Sequence, residues 1–237
     1  PHIPFRTFLT EMDGTMTASY LHGLLSALAY IHQKKIIHRD IKPANYLFNP
    51  ETCHGCLIDF GLCENDAFVE TELRIPDNSV TFDLDYPQFV TDKPKMWGSR
   101  AGTRGFRAPE VLLAVANQSC KIDIWSVGVI LLSILTQRYP FFKSPDDLTS
   151  LVEISVILGT DRLRQSALKL GRKLRFPCEQ KGYNMADLVR SLNPTVDTKF
   201  SDCIFDLLVR MLDPDPSTRL SAEEALQHPF FNGVTKS

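Results

Sequence analysis

This 237-residue sequence has no stretch suited to crossing a membrane and no secretory leader. The apolar run "IDIWSVGVILLSIL", Ile122 to Leu135, is about 14 residues long, short of the roughly 20 a bilayer needs, and Asp123 stands inside it. The opening "PHIPFRTFLTEMDG" has neither the basic start nor the apolar core of a signal peptide, and its lack of an initial Met points to a fragment or a processed chain. There is little excess charge. A net formal charge of -2 excludes a general polyanion binder and confines any basic site to a local patch. Repeats and low-complexity tracts are also missing, which excludes a solenoid. The six cysteines are scattered rather than densely spaced, so a disulfide-stapled miniature domain is excluded and a reducing, intracellular setting is expected.

What is present suits a globular domain: 43% of residues are hydrophobic and 23% charged. Leu21, Leu24, Leu25, Leu28 and Ile31 recur on one helical face, which predicts an amphipathic helix from Thr17 to about Gln33. "YLF" and "CLIDF" read as two short strands. Between them "CHGC" spaces Cys53 and Cys56 like half of a zinc site, but no second half follows, and Asn49-Pro50 with Gly55 suits a turn. The run from Ile122 to Leu135 is apolar all round, the pattern of a central buried helix. "SPDDLTSLVEISVILG" offers Ser144 as N-cap, Pro145 at the first helical position and Gly159 as a stop. "DCIFDLLVRML" is a further amphipathic helix, and Ser221 with Glu224 has capping-box spacing before Pro229. Residues 64–99 lack clear periodicity and read as an insertion or loop, acidic early (Glu64, Asp66, Glu70, Glu72) and basic late (Lys93, Lys95, Arg100).

The chemistry lies on the loops. Phosphoryl transfer needs metal ligands, a cation near the transferring group and a carboxylate to orient the incoming hydroxyl. "HRDIKPAN" supplies Asp40, Lys42 and Asn45, and "DFG" adds Asp59, 14 residues beyond Asn45. Hard oxygen donors suit Mg2+, which makes Asn45 and Asp59 a reasonable metal pair for ATP. His38 and Phe60 read as structural, with no proton to move.

"HRDIKPAN", "DFG", "GTRGFRAPE" and "DIWSVG" follow in the order found in eukaryotic protein kinases. "RAGTRGFRAPEVLL", "KIDIWSVGVILLSILTQRYPFF" and "DDLTSLVEISVILG" further resemble the replication-initiating serine/threonine kinases of the cell-division-cycle-seven type, over nearly the whole chain. The 46 residues between Gly61 and Ala108 agree with an insertion in that family's activation segment.

The resemblance implies roles. Asp40 would be the catalytic base, Lys42 and Asn45 would serve phosphate and a second metal, and Asp59 would bind Mg2+. Leu47 would floor the adenine site, with Ile58 behind it. Thr103 would line the peptide cleft. Glu110 would pair with Arg219, the alternative being surface exposure, and Asp123 would anchor the catalytic loop. Arg100, Arg104 and Arg107 cluster around Thr103, either to bind an acidic or phosphorylated residue after the target or to hold the activation segment and receive a phosphate on it. Lys42 favours serine/threonine over tyrosine.

Residues 1–35 contain only Gly14 and Gly23, with no GxGxxG and no VAIK-like strand. The expected fold is therefore mainly α, a protein-kinase-like carboxy-terminal lobe with short β strands around the catalytic loop and the amino-terminal lobe absent. On that view residues 1–237 are one lobe of a kinase domain, inactive alone with feeble ATP affinity, the parent protein being the active enzyme. The rival is a truncated, noncatalytic lobe acting as a binding module. The family further implies replicative helicase subunits as protein substrates, an activating regulatory subunit and a nuclear location; the charge balance and the short apolar run lead to no expected direct contact with nucleic acid or membrane.

Overall fold

The computed structural model describes residues 3–66, 80–83 and 98–232. Helices dominate. Helix α1 (Phe5–Phe8) leads into α2 (Gly14–Gln33), which begins three residues before the expected Thr17 because the Asp13 carboxylate accepts the Met16 N–H at 2.8 Å. The leucines of α2 are fully buried. Gly14 and Gly23 both lie in this helix.

Strand β1 (Ile36–Ile37) precedes the loop over residues 38–45, and β2 (Tyr46–Asn49) pairs antiparallel with β3 (His54–Leu57). The second strand was expected as "CLIDF", but it lies two residues earlier and stops at Leu57. Asp59 adopts a left-handed conformation, φ 66°, which no strand can contain, and caps a 3-10 turn over Phe60–Leu62. Strand β4 (Glu64–Asn65) then pairs antiparallel with β1. Part of the expected insertion is ordered: β5 (Val80–Asp83) runs parallel to a later strand, and Ser99 is tied to Gln118. Residues 67–79 and 84–97, which include Glu70, Glu72, Lys93 and Lys95, lie outside the described residues.

After the short α3 (Pro109–Leu112) comes α4 (Lys121–Thr136), buried on nearly every side as its all-round apolarity predicts. The next helix, α5 (Asp147–Leu158), is capped by Asp146, whose carboxylate accepts the Thr149 N–H at 2.8 Å. The expected cap, Ser144, is wrong by two residues: a carboxylate in extended backbone at 146 reaches the first free N–H groups, while Ser144 is buried ahead of the helix. Gly159, at φ 91°, ends α5 and lets α6 (Thr160–Lys169) set off in a new direction. Strand β6 (Arg172–Arg175), the partner of β5, follows. Helices α7 (Met185–Leu192), α8 (Val196–Lys199), α9 (Cys203–Met211) and α10 (Ala222–Leu226) close the chain, α10 carrying the full Ser221–Glu224 capping box. One hydrophobic core runs from Phe5 to Phe231. The loops after β1, β3 and before α3 meet above it.

Candidate active site

Asp123, in the first turn of α4, is the buried post of the loop over residues 38–45. Its carboxylate accepts the backbone N–H groups of His38 and Arg39, both at 2.8 Å, and lies 2.9 Å from His32 Nε2. His38 is fully buried, and its Nε2 meets the Ile58 carbonyl at 3.0 Å, tying this loop to the strand that leads to Asp59. Phe60 packs against the His38 ring at 5.0 Å yet remains half exposed.

The Asp40 carboxylate is saturated. One oxygen accepts the Thr103 N–H at 2.8 Å and the Thr103 hydroxyl at 2.6 Å. The other accepts Lys42 Nζ at 2.7 Å and Asn45 Nδ2 at 3.0 Å. Lys42 also donates to Thr103 Oγ1 at 2.8 Å, which closes a ring of three side chains. Burial pushes the Asp40 carboxyl up, but the hydrogen bonds from Lys42 and Thr103 and the Lys42 charge outweigh it, so the group is held below its ordinary value.

Asn45 spends its amide nitrogen on Asp40, on both the carboxylate and the carbonyl, and this leaves its oxygen without a protein donor among the described residues. The Ile58 N–H donates to the Asn45 carbonyl at 2.9 Å, which draws the start of the Asp59 turn alongside Asn45. Asp59 is exposed, and one of its oxygens accepts the Gly61 N–H at 3.4 Å. Two hard oxygens on adjoining loops fit Mg2+, which takes one or two protein ligands and completes its shell with phosphate and water.

Leu47, half-buried on β2, lines a cavity of 290 Å³ with Phe5, Pro43, Ala44 and Tyr46, and Ile58 is half-buried just past β3. Cys53 lies in the β2–β3 turn at φ 55° and Cys56 on β3, both exposed. Thr103 and Arg104 line a groove of 420 Å³ with Arg6, Tyr139, Phe142 and Lys143. The other two arginines point elsewhere: Arg107 donates to Asp147 at 2.8 Å, and Arg100 lies 3.6 Å from the same carboxylate. Below the site Arg219 and Glu110, both buried, form a two-pronged pair at 2.6 and 2.9 Å.

The sequence reading gave no role to several residues that shape this site. Arg39, left-handed at φ 70°, joins Glu64, the Ser99 carbonyl and Gln118. Gly102, at φ 95°, passes so close to the Arg39 carbonyl that a side-chain carbon there would sit 2.3 Å from the oxygen. The glycine of "AGT" was the available signal.

A family model for the protein kinase domain matches residues 5–231. The chain belongs to the protein kinase family. It is 41% identical over 98% of its length to the probable cell division control protein 7 homolog 2 of Encephalitozoon cuniculi, of which it covers 70%. It is 38% identical over its full length to the cell cycle protein kinase spo4 of Schizosaccharomyces pombe, covering 62% of it, and 36% identical over 97% to the cell cycle serine/threonine-protein kinase hsk1 of the same yeast, covering 50%. Within the family it is a kinase of the cell-division-control-protein-7 type.

The match corrects the expectation of a carboxy-terminal lobe alone with the amino-terminal lobe absent. The domain model takes in residues 5–231 and the relatives named above align over 97% of the chain or more, which points to a kinase domain rather than one lobe. The expectation leaned on two short phosphate-binding motifs. A domain match is carried by the whole pattern of buried positions, and here those run from Phe5 to Phe231.

Proposed function

We propose that the chain transfers the terminal phosphoryl group of ATP to serine or threonine hydroxyls of proteins, with Asp40 as base. The observation that carries this is the saturated Asp40 carboxylate, held by Thr103, Lys42 and Asn45. A carboxylate has about four acceptor positions, all filled here, so an incoming hydroxyl takes the place of one donor. Thr103 Oγ1, a neutral donor bordering the groove, is the one to yield. Asp40 then accepts the proton as the hydroxyl oxygen bonds to phosphorus and the bond to ADP breaks. Lys42 stays beside the transferring group. Asn45 and Asp59 would hold Mg2+, which when bound neutralises phosphate charge. Leu47 would form the floor of the adenine site, with Ile58 behind it.

Arg104 beside Thr103 favours an acidic or phosphorylated residue after the target. Arg100 and Arg107, drawn to Asp147, favour the other role, fixing the segment. Glu110 with Arg219, and Asp123, brace the site. From the resemblance and the cell-cycle names of the relatives we extend the proposal to initiation of DNA replication, with replicative helicase subunits as substrates, an activating regulatory subunit and a nuclear location. Direct contact with nucleic acid is not part of it, given the net charge of -2. No helix among the described residues is long and apolar enough to cross a membrane. Turnover by residues 1–237 unaided should be weak, because residues 1–35 offer no glycine-rich turn to cover the phosphates and no strand lysine to grip them. Radiolabel transfer to a serine/threonine peptide tests the reading: slow, Mg2+-dependent labelling lost in Asp40→Asn supports it, and labelling that survives the substitution, or falls on tyrosine, overturns it.

A further inference from the structure

The segment that lays Thr103 on Asp40 is anchored by arginines, and each anchor already holds a carboxylate of this chain. Arg39 is nearly buried, its side chain 7% exposed, and a guanidinium so placed needs an anion. Glu64, on β4, supplies it. The same guanidinium donates to the Ser99 carbonyl at 3.3 Å and to Gln118 Oε1 at 3.2 Å, while Gln118 donates back to Ser99 at 2.8 Å. A second anchor stands on the other side: Asp147, in the first turn of α5 and 12% exposed, receives Arg107 at 2.8 Å and Arg100 at 3.6 Å. Glu64 is pinned in turn by its strand pairing opposite Ile37, two residues before Arg39.

We propose that Glu64, seconded by Asp147, is a positioning residue: a built-in counter-anion that fixes residues 98–107 over Asp40, so that the segment takes its active placement with no phosphate added to the chain. Glu64 already supplies the counter-charge at Nη1 of Arg39, so a phosphate is not needed to neutralise the guanidinium, although its Nε has no partner among the described residues. A phosphoryl group arriving there would compete with a carboxylate whose backbone is fixed by β-pairing. The same holds at Asp147, where two arginines share one carboxylate. The proposal rests on the kinase reading for its functional consequence, but the placement itself is independent of turnover.

Hydrogen exchange read by mass spectrometry tests it on residues 1–237, stripped of phosphate by a phosphatase and checked by intact mass. Peptides covering 98–107 and 38–41 should stay protected in the dephosphorylated chain. Glu64→Gln should speed their exchange roughly tenfold while α4 is unchanged, Asp147→Asn should speed 98–107 alone, and Glu64→Asp should restore most of the protection. Exchange of 98–107 at the rate of a free peptide in the dephosphorylated chain overturns the proposal, as does a Glu64→Gln profile matching the unaltered one. If Glu64→Gln also loosens α4, the phosphatase comparison on the unaltered chain decides: protection kept supports the built-in anion, protection lost contradicts it. Failure of peptide phosphorylation would count against the kinase reading and leave the exchange result standing.

Discussion

Thr103 gives both its backbone N–H and its hydroxyl to one oxygen of Asp40, 63 residues away in sequence, at 2.8 and 2.6 Å. Two loops distant along the chain are thereby closed onto a single carboxylate. Removing the hydroxyl in Thr103→Ala takes away one of the bonds that hold the Asp40 carboxyl low and leaves burial, which pushes it up, less opposed. The acid limb of kcat/KM, which reports the free enzyme, should move to higher pH, and kcat/KM on that limb should fall about tenfold. Thr103→Ser, which keeps the donor, should restore both, and a pH–rate profile of the three proteins checks this.

Asp123 satisfies three buried groups at once. Asp123→Ala leaves the His38 and Arg39 N–H groups without a partner, a cost of about 3–5 kcal/mol by the usual penalty for orphaned buried donors and charges. Urea unfolding measures the loss. Asp123→Asn keeps one acceptor oxygen and should cost less.

The Arg219–Glu110 pair is buried on both sides, 0% and 1% exposed. Arg219→Met alone strands a buried carboxylate and should destabilise by about 3–5 kcal/mol, whereas Arg219→Met with Glu110→Leu removes both charges and should cost markedly less. A double-mutant cycle in denaturant reads the difference.

Stability should fall at both ends of the pH scale for separate reasons. Asp40 is held low in the folded chain, so its contribution is complete above the unfolded carboxyl value of about 3.9 and is lost as pH drops below it. Tyr20 and Tyr46 are pushed up by burial, so the folded state favours the neutral phenol; that contribution is complete below the unfolded value of about 10 and is lost as pH rises through it. Their hydroxyls have no partner among the described residues, so Tyr46→Phe should be neutral or stabilising at pH 7 and should blunt the alkaline loss. Thermal melts from pH 2 to 11 check both limbs.

Much of this was legible because it is periodic or because it is a motif. The α2 and α4 helices announced themselves through buried faces, and Asp40, Lys42, Asn45 and Asp59 through spacing. Local capping was less legible: Ser144 and Asp146 are both competent caps, and only the extended backbone at 146 decides between them. Gly55 suited a turn by composition, yet it lies on β3 because the Tyr46 ring presses on it, where a side-chain carbon would sit 2.2 Å from the phenol. Arg39, Glu64 and Asp147 escaped notice because charged residues on loops read as solvated until the partner is known. The division of the three arginines between groove and Asp147 is likewise set by tertiary placement, which spacing does not encode.

On the proposed function, the free oxygens of Asn45 and Asp59 and the carboxylate of Asp40 form one seat for metal-bound triphosphate. Mn2+ with a non-hydrolysable ATP analogue, titrated into isotope-labelled residues 1–237, tests it by paramagnetic broadening. The side-chain amide of Asn45 and the backbone amides of Asp40 and Asp59 should broaden first and together, with signals around the buried Arg219–Glu110 pair untouched. Broadening that spares Asn45 and Asp59, or that is no stronger there than at distant surface sites, would contradict the account.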